Sequence, residues 1–114
     1  MSFIEREIGA VFLAVKDIEK AKDWYNDLLG IEENIDIQFG HLYVIPSSNL
    51  VLDSKIYSKR HQGEAPLFHF NTKNIQMAYE ECKKKNVEIL TDIEHGQWFN
   101  FRDPDGNVLM ICQC

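Results

Sequence analysis

The feature that most constrains the fold is an approximate internal repeat. Sliding the chain on itself by 57 residues, half of its 114, sets Ala10 on Leu67, Lys16 on Lys73, Asp17 on Asn74, Ile18 on Ile75 and Ala21 on Ala78. These matches gain weight from the order of elements around them. In the first copy, 8–16 is an apolar run of strand character and Asp17 suits an N-cap. Ile18, Ala21, Tyr25 and Leu28 then recur on one helical face until Gly30 offers a left-handed stop. From 32 to 56 the pattern turns to strands: Ile35 and Ile37 alternate with polar neighbours, and 41–45 and 49–56 are extended runs separated by Pro46. Residues 57–65 are polar, contain Gly63 and read as a linker. The second copy repeats the order. A strand over 66–72 leads to Asn74 as N-cap and to a helix with Ile75, Ala78, Tyr79 and Cys82 on one stripe, closing near Asn86. Strands follow over 87–91, 97–102 and 108–113. We read two βαβββ units, 8–56 and 66–113, as one α+β domain spanning 1–114. Each unit packs its helix on one face of a sheet. Two such sheets paired over their other faces, within a chain or between chains, form a cleft.

Composition narrows the partners. With 45% hydrophobic residues a chain of this length can bury a core. Twelve Lys and Arg stand against 18 Asp and Glu, a net charge of −6, which argues against nucleic acid, since phosphate binding needs a cationic surface. The basic runs are short: Lys59-Arg60 beside His61, and Lys83-Lys84-Lys85 at a helix end. No apolar run approaches the ~20 residues that cross a bilayer, and residues 1–7 lack the basic start and long apolar stretch of a signal peptide, so a cytoplasmic location is expected. Three cysteines, an odd number, fit a reducing compartment. Cys112 and Cys114 share one face of a strand, and this C-x-C reads as core and tail rather than as a metal or redox site.

Asp103-Pro104-Asp105-Gly106-Asn107 is a turn by its own chemistry: Pro presets φ, Asp caps through its side chain and Gly takes positive φ. With Phe99-x-Phe101-Arg102 before it and Val108-Leu109-Met110-Ile111 after it, the segment resembles the C-terminal signature of the vicinal oxygen chelate superfamily of glyoxalases, bleomycin-resistance proteins, fosfomycin-resistance proteins and extradiol dioxygenases. Phe12-Leu13-Ala14-Val15-Lys16-Asp17, leading into Ala21, Trp24-Tyr25 and Leu28-Leu29-Gly30, resembles that family's strand, cap and helix. The resemblance implies a cleft between curved mixed sheets, and a homodimer.

It also implies where a metal would sit: at a His seven residues before the helix cap and a Glu three residues after the turn's Asn. Here those positions hold Ala10, its repeat mate Leu67, Met110 and, approximately, its mate Leu52. A thioether and three hydrocarbon side chains supply no charge and little donor strength, so no metal or other cofactor is expected. His69 lies two residues from Leu67 on the same strand face. It is either a hydrogen-bonded cleft histidine or, with His41, part of a displaced site. Alternation puts Phe12, Ala14, His69, Asn71, Val108 and Cys112 on the face of Ala10, Leu67 and Met110. Resemblance to fosfomycin-resistance proteins adds Trp98 and Asn100.

Phe12, His69, Asn71, Trp98, Asn100, Met110 and Cys112 are therefore the candidate ligand-binding residues, a mainly apolar, aromatic set with a few polar groups. The alternative is that they fill the space between two sheets. No serine elbow, phosphate loop or nucleophile constellation is present, and Glu32-Glu33 and Glu80-Glu81 read as solvated charges. The expectation is a metal-free protein binding a small molecule, such as an antibiotic. The alternative is a glyoxalase-type lyase or dioxygenase, which requires a divalent metal on non-standard ligands. His69 is the one candidate for metal-independent proton transfer.

Overall fold

Asp17 and Asn74, the repeat's paired caps, start the two helices of the computed structural model, which describes residues 2–58 and 63–114. The Asp17 carboxylate accepts from the Lys20 amide at 3.1 Å, and the Asn74 side-chain oxygen accepts from the Met77 amide at 3.0 Å. Each satisfies one of the amides that a helix start leaves unpaired. Linker residues Lys59, Arg60, His61 and Gln62 lie outside the described residues. The chain divides into two compact units, Met1–Tyr57 and Ser58–Cys114.

In the first unit, β1 (Val11–Ala14) leads to α1 (Ile18–Leu29), then to β2 (Leu42–Val44) and β3 (Leu50–Asp53). The sheet order is β1-β3-β2, with β1 parallel to β3 and β2 antiparallel to it. α1 covers β2 and β3, burying Ile18, Ala21 and Tyr25 on the side where Leu13, Val15, Tyr43 and Leu52 are also buried. Gly30 ends the helix at φ 66°, and its amide and that of Ile31 return to helix carbonyls. The Tyr43 hydroxyl is buried with its ring and donates to Asn26 Oδ1 at 2.8 Å. Tyr43→Phe is expected to cost about 1 kcal/mol by urea unfolding, the net worth of one such bond.

In the second unit, β4 (His69–Asn71), α2 (Ile75–Lys84), β5 (Glu88–Ile89), β6 (Trp98–Arg102) and β7 (Val108–Cys112) form a four-stranded mixed sheet in the order β4-β7-β6-β5. β4 and β7 are parallel and the other pairs antiparallel. α2 packs on β5 and β7, burying Ile75 and Cys82, with the Tyr79 ring edge-on to Phe99 at 5.1 Å. Phe99, Phe101, Leu109 and Ile111 are buried on this side.

The expected strand around Ile35 and Ile37 does not form. Residues 31–37 have no regular structure, and the region reaches the sheet only through a bridge between Gln38 and Leu42. Ile35 stays exposed, and Glu32, Glu33, Asn34 and Asp36 around it give a strand there little to bury. The second unit repeats the arrangement, with a bridge between Glu94 and Trp98. Both bridges enclose consecutive left-handed residues: Phe39 and Gly40 at φ 52° and 75°, His95 and Gly96 at φ 53° and 67°. Two successive positive φ values suit a tight turn between right-twisting strands, and glycine at the second place removes the Cβ penalty there. Among the described residues, no helix is long and apolar enough to cross a membrane.

Candidate functional site

Strand register decides which sequence candidates meet. In the second unit His69 is opposite Met110, and Met110 is opposite Asn100; Asn71 is opposite Cys112, and Cys112 is opposite Trp98. Six of the seven candidate binding residues thus form two adjacent rows, His69–Met110–Asn100 and Asn71–Cys112–Trp98, across β4, β7 and β6. Side chains alternate across a sheet, so the rows share the face opposite Phe99, Phe101, Leu109 and Ile111, and hence opposite α2. The next row continues through Val108 and Arg102 to Glu88, where Arg102 Nη1 and Glu88 Oε2 form an ion pair at 2.7 Å. Leu67 precedes β4, is exposed, and its amide donates to Val108 O at 3.0 Å.

Within the rows, Trp98 is half-buried. Its indole N–H donates to Glu94 Oε2 at 3.1 Å, and its ring lies 5.1 Å from that of His95. Asn100 carries an anomaly: its Oδ1 is buried and has no hydrogen-bond partner among the described residues. An unpaired buried acceptor forfeits its hydration, a cost of about 1–3 kcal/mol, unless a donor arrives from elsewhere. His69 and Asn71 are exposed, and Cys112 is buried. Cys112 and Cys114 are joined as a disulfide, which corrects the reading of this pair as simple core and tail. Cys82 is the free cysteine, on the buried face of α2, and burial reinforced by Glu81 pushes its thiol up to about 11. Two recesses of this unit, about 590 and 790 Å³, lie along α2 and contain none of the row residues.

In the first unit the corresponding rows are Phe12–Val51–Val44 and Ala14–Asp53–Leu42. Phe12, the seventh candidate, is 57% exposed on this face. Ala10 precedes β1 and is exposed. Leu52 must be reassigned: it is opposite Leu13 and fully buried on the α1 side, whereas the residue opposite Phe12, as Met110 is opposite His69, is Val51. A one-residue offset in a strand moves a side chain to the other face.

Sequence reasoning also missed a polar pair here. Asp53, 6% exposed, accepts at Oδ1 from the Lys55 amide at 2.9 Å and lies 3.0 Å from His41 Nδ1. The signal was an acid closing an otherwise apolar Leu50-Val51-Leu52 strand, with His41 across the hairpin. The contact orients one imidazole and leaves its Nε2 outside the pair.

The family's metal does not fit these residues. Its positions hold Ala10, Leu67, Met110 and Val51, none of which can bind a hard divalent ion, and His69 has a thioether, not a carboxylate, beside it in its row. Among the described residues no group of three or more His, Cys, Asp or Glu converges. His95 sits in the Gly96 turn and His61 lies outside the described residues.

Comparison with known proteins agrees with this layout. A solved antibiotic-binding protein, TnmS3 from Streptomyces sp. CB03234, superposes with a TM-score of 0.72 at 22% identity, covering 98% of each chain. The trypanothione-dependent glyoxalase I of Leishmania major superposes at 0.68 with 19% identity, covering 95% of this chain and 86% of that one. At these identities the likeness is one of fold. The protein YetH of Bacillus subtilis (strain 168), itself uncharacterized, is 29% identical over 116 residues, covering 93% of this chain and 97% of that one. The model of the Glyoxalase/Bleomycin resistance protein/Dioxygenase superfamily matches residues 7–111, nearly the whole of both units, and the chain belongs to that superfamily.

Proposed function

We propose that the protein is a metal-free binder of a small, flat, partly apolar molecule, held on the sheet face that carries Trp98, Asn100, Met110 and His69. The observation that carries this reading is the buried Oδ1 of Asn100, which has no partner among the described residues. Turned outward about its side-chain torsion, this acceptor, in the same row as Met110 and on the face of Trp98, suits a ligand that presents an aromatic surface and one N–H or O–H group. His69 and Asn71 are the polar groups that would orient it. Phe12, on the first unit's sheet, is the remaining aromatic residue of the ligand-binding set. That TnmS3 is an antibiotic-binding protein supports a small-molecule ligand. Phe12 and Leu67, both more than half exposed, are surface that a second copy would cover, so the reading includes a homodimer. With it goes the expectation of a cytoplasmic location.

The test is native mass spectrometry of freshly purified protein, followed by calorimetric titration with a panel of aromatic antibiotics. A co-purifying mass or saturable binding is the expected result. No ligand in either experiment would remove the proposal.

A further inference from the structure

The Cys112–Cys114 bridge is independent of any ligand, and three hydrogen bonds hold Cys112 and the intervening Gln113 in place. The Cys112 carbonyl accepts from the Thr72 amide at 2.9 Å, and the Gln113 amide donates to the Gln97 carbonyl at 2.7 Å. The Gln113 side chain turns the other way and accepts from the Ile75 amide at 2.8 Å, at the start of α2. Residues 112 and 114, two apart on an extended segment, are thereby presented on one side of the sheet. The two residues differ in exposure: Cys112 is 1% exposed, whereas Cys114 is exposed. A loop of three residues removes little entropy from the unfolded chain, so such a bridge is a poor staple. One exposed and one buried cysteine, held together by anchored backbone, instead suit exchange chemistry.

We propose that Cys112 and Cys114 form a reversible thiol–disulfide couple that exchanges with low-molecular-weight disulfides through Cys114. In the oxidising direction the Cys114 thiolate attacks one sulfur of RSSR, forming a mixed disulfide and expelling RS⁻. Cys112, losing its proton to solvent, attacks Cys114 Sγ, closes the bridge and expels the second RS⁻. The two protons released by the protein convert the two RS⁻ to RSH, and two electrons pass from the dithiol to RSSR. In the reducing direction a thiolate RS⁻ attacks the Cys114 sulfur and the electron pair leaves on Cys112. A second RS⁻ attacks the outer sulfur of the mixed disulfide, RSSR departs, the electron pair leaves on Cys114, and the two protein thiolates take up the protons of the two thiols. Trp98, directly across from Cys112, reports the state, because a disulfide beside an excited indole accepts an electron from it and quenches its emission.

The test places the full chain in buffers of reduced and oxidised glutathione, with acid quenching and intact mass measurement. The expected result is a species lighter by two hydrogens that accumulates as the oxidised fraction rises, dims tryptophan emission and reverts with excess thiol. Cys112→Ser is expected to carry one glutathione, on residue 114. Cys114→Ser, changed at an exposed position, is expected to show neither adduct nor mass loss. Buried Cys82 serves as the internal control, because its raised thiol keeps it protonated. A bridge that forms at no buffer ratio, one that thiols do not reverse, or one that survives Cys114→Ser would each overturn the proposal.

Discussion

Asp103→Ala is expected to remove about 3 kcal/mol of folding stability, a large effect for a substitution in a surface turn. Asp103 is 3% exposed, and its carboxylate is the hub of the turn between β6 and β7. Oδ1 accepts from the amides of Asp105 at 2.9 Å and Asn107 at 2.8 Å, and Oδ2 accepts from the Asn107 side-chain amide at 3.0 Å. Alanine leaves the buried Asn107 donors without that partner. Asp103→Asn keeps one acceptor oxygen but turns a donor toward another donor, and should fall between wild type and alanine. For a chain of this size the alanine loss corresponds to a fall in Tm on the order of 10–15 °C. Thermal and urea unfolding followed by circular dichroism would measure it. A loss below about 1 kcal/mol would mean that water replaces these bonds at little cost.

The same turn shows what was legible in the sequence. Asp103, Gly106 and Asn107 are chemically specific: the carboxylate collects nearby amides, and Gly106 takes φ 88°. Local chemistry of this kind is readable without the fold, as were the caps at Asp17 and Asn74 and the stripe of Ile18, Ala21 and Tyr25. The strand expected around Ile35 failed because alternation signals a strand only where one face has something to cover it. The sequence points approximately to Leu52 where the register places Val51, because the four residues Leu50–Asp53 are all buried and show no alternation from which to read a face. The His41–Asp53 contact and the two rows of β4, β7 and β6 depend on register between strands far apart in sequence. Turns and hydrogen-bonded pairing set that register, and composition does not encode it. The Gly40 and Gly96 turns are an intermediate case. They repeat at an offset of 56, one residue from the offset that aligns the helices, so a rigid self-comparison at a single offset passes over them.

Trp98→Ala and Asn100→Leu separate a binding face from a merely filled one by the signs of their effects. If the rows of β4, β7 and β6 hold a flat ligand, truncating Trp98 removes roughly 100 Å² of apolar contact, worth about 2.5 kcal/mol at about 25 cal/mol per Å². That corresponds to a loss of affinity between about tenfold and a hundredfold. Asn100→Leu acts differently on the free and bound states. In the free protein it replaces an unpartnered buried acceptor by a hydrocarbon of similar size, so stability is expected to rise by about 1 kcal/mol. In the complex it takes away the partner of the ligand's donor, so affinity is expected to fall by about fivefold or more. Urea unfolding without ligand and calorimetric titration with whichever compound binds give the two numbers. A residue that serves packing alone would lower stability when replaced and leave affinity nearly unchanged. Higher stability together with weaker binding at residue 100 is the combination that a site kept unsatisfied for a ligand predicts. If Asn100→Leu destabilises the free protein, the orphaned oxygen is paired in solution and the case for a ligand donor at that position is lost.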